Sequence, residues 1–388
     1  MGMRIVVVGG GIAGVSAAQA ARNTQADAEI FLVCSEPDLP YYRTRILSLF
    51  SGGSEEKLSL RSYEWYIEQN IQVVRGRVTA ISIPHQQVRF VDGSWLAYDK
   101  LVLATGAKVT LPEFPGQEEV EMIPLRTLAD MRQAVAAPDP AVVLGDGPLA
   151  VEAAWALSCG GREVTLVGSG KRLLSHDLES AAATFLLHML EGTDIRIALK
   201  GEISHYDGSR LVLKDGRYFP AGMILSATGI ASNCRLGQYA GLDMQHGFVV
   251  DRHMATSKPD IWAAGDCAEY QGQVMGRWTV AAAQGKVAGT NAAGGDLAYS
   301  PSKHPFSMQA MGAEIWQLGD ITAPDSVEYA DPQSQRFVKF FFRDQRLAGA
   351  EMIGNDLPES RVKRALETAA SKAEGDALFH SLFTSGQA

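Results

Sequence analysis

The chain has few residues that could bind a metal or exchange thiols. Its four cysteines, Cys34, Cys159, Cys234 and Cys267, form no C-x-x-C or C-x4-C pair, and its eight histidines never lie four residues apart. This spacing excludes an obvious zinc site or redox dithiol. It predicts that each cysteine is a small packing residue and that the chain holds no metal.

Positive charge and long apolar segments are also scarce. The net charge of -9 disfavours nucleic acid as a general partner. No uninterrupted apolar segment is long enough to predict a membrane span, so we expect no membrane partner and a cytoplasmic protein. A length of 388 residues with 46% hydrophobic and 20% charged residues predicts two or three globular domains.

Glycine, by contrast, forms two ordered clusters. Strand-like Arg4–Val8 runs into the sequence GGGIAG at Gly9–Gly14, and strand-like Ala141–Leu144 runs into GDGPLA at Gly145–Ala150. Each has the pattern G-x-G-x-x-G/A before an Ala-rich helical stretch. Glycines let a pyrophosphate approach the backbone, and the helix N-terminus supplies free N–H groups. Two such turns predict two dinucleotides, which suggests electron transfer between them.

The repeat continues beyond the glycines. Asp92-Gly93 precedes Thr105 of an Ala-Thr-Gly sequence by thirteen residues, and Asp215-Gly216 precedes Thr228 of a second one by thirteen. Asp-Gly is typical of a hairpin turn. Each half therefore reads as nucleotide turn, helix, strand, hairpin and buried strand, which predicts a duplicated domain.

Two features of the first half indicate a nucleotide. Glu36 ends the next strand, Glu29–Cys34, and lies 22 residues past Gly14, where a carboxylate accepts hydrogen bonds from an adenosine ribose. The sequence YYRTR at residues 41–45 offers aromatic rings for stacking and guanidinium groups for phosphate.

A third signal distinguishes the first nucleotide from the second. The short strand Asp260–Ala264 ends in Gly265-Asp266, where a carboxylate could bind a polyhydroxyl chain such as ribitol. NAD has no ribitol, so this element predicts that the first nucleotide is FAD.

Together these motifs resemble the FAD-dependent pyridine nucleotide reductase superfamily, and within it NAD(P)H:rubredoxin reductases and the flavoprotein part of nitrite reductases. The resemblance covers nearly the whole chain. Its most specific segments are Pro40–Arg43, Ser62–Tyr66, Leu125–Thr127, Gly247–Asp251 and Gly265–Glu269. It implies an α/β fold with two Rossmann-like FAD- and NAD(P)-binding domains of the glutathione-reductase type, plus a small C-terminal α+β domain.

The resemblance also implies binding residues and domain limits. For FAD these are Gly9, Gly11, Ile12, Ala13, Gly14, Glu36, Arg43, Val78, Ala104, Thr105, Gly106, Arg126, Gly265, Asp266, Trp278 and Thr279; for NAD(P)H they are Gly145, Gly147, Pro148, Leu149, Glu152 and Gly229. We expect the FAD domain at 1–110 and 227–300, the NAD(P)H domain at 111–226, and the C-terminal domain at 301–388.

The chain departs from its relatives beside the flavin. Disulfide reductases of this superfamily carry one or two cysteines after the first ribose-binding strand, but none lies between Pro40 and Phe50. Similar ferredoxin reductases usually carry a lysine where this chain has Ser48. Electrons are therefore expected to leave from the flavin edge, and no catalytic side chain is predicted.

The second half leaves the nicotinamide open. Glu152 is expected to orient the ring over the flavin, with a solvent-facing helix carboxylate as the alternative. Gly168 stands at the strand end where an NAD-specific site places an acid, and loss of that hydrogen bond costs roughly 1.5–3 kcal/mol. Lys171 or Arg172 could reach a 2′-phosphate. We expect NADH or NADPH, with a slight preference for NADH; a non-functional nicotinamide site is the third hypothesis.

The C-terminal segment predicts a strand pair, Arg336–Phe342 and Leu347–Ile353, followed by a helix over Glu359–Lys372. Its aromatic residues are expected to form a core. In similar proteins this domain builds the partner or dimer surface, so a homodimer is one expectation.

These features predict an enzyme that passes electrons from NAD(P)H through FAD to rubredoxin or a similar small iron–sulfur carrier. The alternatives are an NAD(P)H oxidase or a nitrite reductase flavin component. An alternative of another class is an NAD(P)H-sensing flavoprotein similar to apoptosis-inducing factor.

Overall fold

The computed structural model describes residues 2–301 and 306–384. The region before residue 111 begins with the first glycine turn. Its elements are β1 (Arg4–Val8), α1 (Ile12–Thr24), β2 (Glu29–Cys34), 3-10 helices Arg43–Ser51 and Glu55–Leu58, α2 (Tyr63–Glu68), β3 (Ile71–Arg75), β4 (Val78–Ser82), β5 (Gln87–Phe90), β6 (Trp95–Ala97), β7 (Lys100–Leu103) and β8 (Ala107–Val109).

The region around the second glycine turn repeats this order. Its elements are a 3-10 helix (Gln117–Glu119), β9 (Glu121–Pro124), α3 (Leu128–Ala136), β10 (Ala141–Leu144), α4 (Pro148–Cys159), β11 (Val164–Val167), α5 (Ser180–Glu191), β12 (Arg196–Ala198), β13 (Ile203–Tyr206), β14 (Arg210–Leu213), β15 (Tyr218–Pro220) and β16 (Met223–Ser226).

The chain then returns to the first sheet before its last segment. The returning elements are β17 (Ile230–Ser232), α6 (Arg235–Ala240), β18 (Phe248–Val250), β19 (Ile261–Ala263), β20 (Ala268–Tyr270) and α7 (Trp278–Ala292). The last segment comprises β21 (Phe306–Ala310), β22 (Ala313–Gly319), β23 (Asp325–Asp331), β24 (Arg336–Arg343), β25 (Arg346–Gly354), α8 (Glu359–Glu367) and α9 (Lys372–Thr384).

Two parallel sheets of five strands carry the two glycine turns. Their orders are β19-β7-β1-β2-β3 and β12-β11-β10-β16-β9. Strands β1 and β10 are central, and their residues are almost fully buried because both faces of each sheet are covered. Each half also has a three-stranded antiparallel sheet, β4-β5-β6 or β13-β14-β15, with its Asp-Gly turn between the last two strands. The predicted duplication and fold class are confirmed.

Helices α1 and α7 pack closely because α7 has glycines on the contact face. A Cβ atom on Gly285 would lie 2.2 Å from the Ala13 carbonyl oxygen, and one on Gly289 would lie 2.0 Å from that of Ala17. This contact fixes the N-terminus of α7 near the first glycine turn.

The last segment folds into the five-stranded sheet β21-β22-β25-β24-β23, with α8 and α9 packed on it. The aromatic residues Phe337, Phe340, Phe341 and Phe342 are buried, as predicted. The helix prediction was wrong at its end: α8 stops at Glu367, and Ala369 has a left-handed φ of 47° that a continuing helix excludes. A separate helix, α9, follows.

The cysteine prediction is confirmed in part. Cys34 and Cys267 are buried, but Cys159 is exposed at the end of α4, so it is not a packing residue. Burial raises the pKa of Cys34 to about 11 and that of Cys234 to about 12, which keeps both thiols protonated. Within the described residues, no helix is long and apolar enough to cross a membrane, and no cluster could hold a metal ion.

Candidate functional site

The first glycine turn has the shape of a pyrophosphate cradle. Gly9 has a φ of 125°, and a Cβ atom there would lie 2.0 Å from the Ala104 carbonyl oxygen. A Cβ atom on Gly14 would lie 1.9 Å from the Gly9 oxygen, whereas one on Gly11 would meet nothing within 4 Å. Gly9 and Gly14 therefore close the turn, and Gly11 leaves the space that a pyrophosphate would fill.

Helix α1 begins in this turn without a side-chain cap. Its N-cap is Gly11, and Ile12 and Ala13 follow as the first helical residues. Free N–H groups of this kind bind anions. The turn therefore fits the pyrophosphate of a dinucleotide.

The second turn repeats this geometry. Gly145 has a φ of 135°, with its Cβ position 2.6 Å from the Ala227 carbonyl oxygen, and Gly147 opens to free space. Helix α4 starts at Pro148 and Leu149 with no side-chain cap on Gly147. Proline suits the first helical position because its missing N–H would have no partner there.

Both Ala-Thr-Gly sequences lie beside their turns. The Thr105 hydroxyl donates to the Asn233 carbonyl (2.8 Å), and the Asn233 amide donates back to the Thr105 carbonyl (3.1 Å). Gly106 and Gly229 have φ values of 65° and 114°. The Gly229 carbonyl accepts from the Thr110 N–H (3.0 Å), which joins the two linkers between the sheets.

Glu36 is held at the end of β2 by two side chains. The Tyr41 hydroxyl donates to Glu36 Oε2 (2.6 Å), and Arg43 forms an ion pair with the same carboxylate. Arg43 also donates to the Arg126 carbonyl (2.7 Å). This network fixes a carboxylate at the strand end, as a ribose would require.

A second ion pair lies at the Gly265-Asp266 turn. Arg126 Nη2 is 2.6 Å from Asp266 Oδ2, and both side chains are mostly buried. The Gly265 N–H donates to the buried Gln284 side chain of α7 (2.9 Å), and a Cβ atom on Gly265 would lie 2.9 Å from Ala13 Cβ. The turn therefore lies between the N-terminus of α1 and helix α7.

Aromatic side chains meet at the N-terminus of α7. Tyr42 stacks on Trp278 with ring centroids 5.6 Å apart, and the Arg45 guanidinium lies 4.5 Å from the centroid of Tyr42. No side-chain cap engages the start of this helix, so the N–H groups of Trp278 and Thr279 can bind an acceptor. Val78, which is also expected to line the FAD, is buried at the start of β4.

Glu152 is half-buried, and its carboxylate faces the C-terminal sheet. The Gln309 N–H of β21 donates to Glu152 Oε1 at 3.4 Å. Burial raises the pKa of Glu152 to about 7, and that hydrogen bond opposes the shift. The expected role of Glu152 beside a nicotinamide stays a prediction.

Gly168 provides no carboxylate at the end of β11, but Asp146 provides one at the end of the neighbouring strand β10. Asp146, the middle residue of the second G-x-G, accepts from the Gly170 N–H through Oδ2 (2.7 Å). Arg172 donates to the Ser175 carbonyl (3.2 Å), and Lys171 is exposed.

Asp146, Gln284 and Asn233 were missed by sequence reasoning. Asp146 is visible in the sequence as the acidic residue of the second G-x-G turn, but the Gly170 N–H that it binds lies 24 residues away in the chain. Gln284 and Asn233 carry no local signal, because their roles come from contacts 19 and 128 residues away in the chain.

The family model of pyridine nucleotide-disulphide oxidoreductases matches residues 3–285. This chain belongs to that family. Its members use FAD and NAD(P)H, and the two glycine turns, the Glu36 network and the Asp266 turn fit two such nucleotides. The chain therefore belongs to a family of FAD-dependent NAD(P)H oxidoreductases.

Relatives include reductases of different electron carriers. The ferredoxin–NAD(+) reductase component of the anthranilate 1,2-dioxygenase system of Burkholderia cepacia is 33% identical over 381 residues, covering 92% of each chain. NADH:rubredoxin oxidoreductase from Clostridium acetobutylicum has a solved structure with a TM-score of 0.79 and 25% identity, covering 96% of each chain. The chain spans about half the length, 49%, of the assimilatory nitrate reductase electron transfer subunit of Bacillus subtilis, at 29% identity and 94% coverage of this chain.

Proposed function

We propose that this enzyme accepts reducing equivalents from NAD(P)H on its FAD and passes electrons singly to rubredoxin or a similar small iron–sulfur carrier. The observation that carries the proposal is the composition of the segment next to Trp278. Residues Arg43–Ser51 contain no cysteine. Arg45 of this segment lies over the ring of Tyr42, which stacks on Trp278. No thiol stands there to accept electrons from the flavin.

The FAD is assigned to the first turn. Gly9, Gly11 and Gly14 hold its pyrophosphate, Glu36 its ribose and Asp266 its ribitol. Arg43 and Arg126, which already pair with these two carboxylates, orient them. The N–H groups of Trp278 and Thr279 face the flavin. The division into domains at 1–110 with 227–300, 111–226 and 301–388 is part of this proposal.

The NAD(P)H is assigned to the second turn. Gly145, Gly147 and the start of α4 hold its pyrophosphate, and Glu152 on the same helix lies by its nicotinamide. Hydride transfer to a flavin needs the two rings stacked, so the protein contributes orientation and no nucleophile.

A second candidate function is the flavin part of a nitrite or nitrate reductase. The match to half of the longer Bacillus subtilis protein favours it. In that case the acceptor would be a partner with its own metal centre, and a free iron–sulfur carrier would be a poor substrate.

The test compares electron acceptors with NADH as the donor. We expect rapid reduction of a rubredoxin or a [2Fe–2S] ferredoxin and slow consumption of oxygen. A Cys159→Ser variant is the matched control, because it removes the exposed thiol and is expected to turn over equally fast. Oxygen consumption as fast as carrier reduction would indicate an oxidase and contradict the proposal.

A further inference from the structure

An acid, Asp146, follows the end of β10, next to the end of β11 where the motif would place one. Strands β10 and β11 are parallel neighbours, with Leu144 paired to Val167. The residues that follow them, Gly145-Asp146 and Gly168, therefore lie side by side at the carboxyl edge of the sheet. An adenosine ribose binds at this edge when the pyrophosphate lies on α4.

The Asp146 side chain fills the place that a side chain at position 168 would occupy. A Cβ atom on Gly168 would lie 2.8 Å from Asp146 Cβ and 3.4 Å from Asp146 Oδ2. The first distance is shorter than two carbon atoms can approach, so the two positions cannot both carry a side chain without a shift. Glycine at 168 is thus explained by the aspartate at 146.

The aspartate is also fixed in place. Its Oδ2 accepts from the Gly170 N–H (2.7 Å), and its backbone carbonyl accepts from the Leu174 N–H (2.7 Å). Within the described residues, no hydrogen bond is formed by Oδ1 of Asp146. One carboxylate oxygen thus holds the loop and the other can accept a hydrogen bond.

Among the described residues, neither Lys171 nor Arg172 forms an ion pair with Asp146. Arg172 donates to the Ser175 carbonyl, and its charge acts on buried Glu351 in the C-terminal sheet. Lys171 is exposed, and no ion pair within the described residues involves it.

From this geometry we infer that Asp146 is the specificity-determining residue of the second nucleotide site. Its free carboxylate oxygen accepts from the ribose 2′-hydroxyl of NADH, and its charge repels the 2′-phosphate of NADPH. The inference rests on the proposed assignment of the second glycine turn to the pyridine nucleotide.

The test measures binding and not turnover. The FAD-loaded, oxidised protein is titrated by calorimetry with ADP-ribose and with its 2′-phosphate. Wild type is expected to bind ADP-ribose more tightly. Asp146→Asn keeps an oxygen for the Gly170 N–H but loses the charge, so the preference should fall by about 10-fold or more.

Variants that move the acid from position 146 to position 168 separate an effect on specificity from an effect on folding. Asp146→Gly should lose the preference, and adding Gly168→Asp to it should restore the preference, because the carboxylate returns to the strand end. Gly168→Asp alone should not strengthen ADP-ribose binding, since it clashes with Asp146. Lys171→Ala should leave the wild-type ratio unchanged.

The outcomes distinguish this inference from the proposed function. A wild type that prefers the 2′-phosphate, or an unchanged ratio in Asp146→Asn, would overturn the role of Asp146 while leaving the nucleotide site in place. Failure of both ligands to bind would overturn the nucleotide site itself, and this inference with it.

Discussion

The protonation of Glu152 changes near neutral pH. Burial raises its pKa to about 7, so the side chain is neutral below that pH and anionic above it. An anion beside a nicotinamide stabilises the positive charge that the ring gains when it gives up hydride.

The rate of flavin reduction by NADH should therefore rise as pH increases through about 7, as Glu152 loses its proton. A Glu152→Gln variant should show a flat profile and be slower above pH 7 by about 10-fold. Stopped-flow absorbance at saturating NADH measures this step. Glu163→Gln, an exposed pair with Arg196, is the control that keeps the wild-type profile. A profile that still rises in Glu152→Gln would remove Glu152 from this role.

At the scale of elements, the sequence predicts most of the two nucleotide-binding halves. Strands β1 and β10 and the glycine turns could be predicted because their signals are local. A short run of apolar residues marks a buried strand, and glycine marks a position with positive φ. The end of α8 was not predicted, because the residue with left-handed φ after it is Ala369 and not the glycine or proline that usually marks a helix end. Helix α9 was missed as well: it contains Gly375, which packs on Phe342 and is unfavourable in an isolated helix.

The contact between α1 and α7 leaves no room for a methyl group. Gly289→Ala places a Cβ atom 2.0 Å from the Ala17 carbonyl, so the helices must separate. We expect a loss of about 1–3 kcal/mol of stability and weaker retention of FAD.

Thermal unfolding of the FAD-loaded protein measures this loss. Gly192→Ala is the control, because its nearest neighbour would be 3.4 Å away and its φ of -76° suits alanine. Equal melting temperatures for the two variants would show that the close helix contact does not limit stability.

At the scale of the molecule, a partly buried charged cluster joins the second nucleotide-binding half to the C-terminal sheet. Lys339 of β24 pairs with Glu179, the N-cap of α5, at 3.0 Å and with Glu328 at 3.1 Å. Glu351 of β25 is fully buried and accepts from the Glu179 N–H (2.6 Å). No sequence pattern predicted this cluster, because its members meet only when the sheet docks on α5.

Removing the cation should destabilise the protein in a pH-dependent way. Burial raises the pKa of Glu351 from 4.5 to about 7. Between these pH values the folded state holds a proton that the unfolded state has lost, so stability falls as pH rises through this range. Lys339 opposes that rise. A Lys339→Met variant should lose about 1–3 kcal/mol, with a larger drop at pH 8 than at pH 5.5.

The control is Lys214→Met, which breaks the exposed pair with Glu202 and should change stability by less than about 1 kcal/mol. Melting temperatures at both pH values provide the comparison. Equal losses at pH 5.5 and pH 8 would contradict the role of Lys339 beside Glu351.

The central claim is that one chain holds FAD and a pyridine nucleotide so that the second reduces the first. Anaerobic titration with NADH and then NADPH, followed by the visible spectrum of the bound flavin, tests this directly. Rapid and stoichiometric bleaching by NADH is expected, and NADPH should need a higher concentration to reach the same rate. A bound flavin that neither donor reduces would contradict the reductase and leave a sensing flavoprotein.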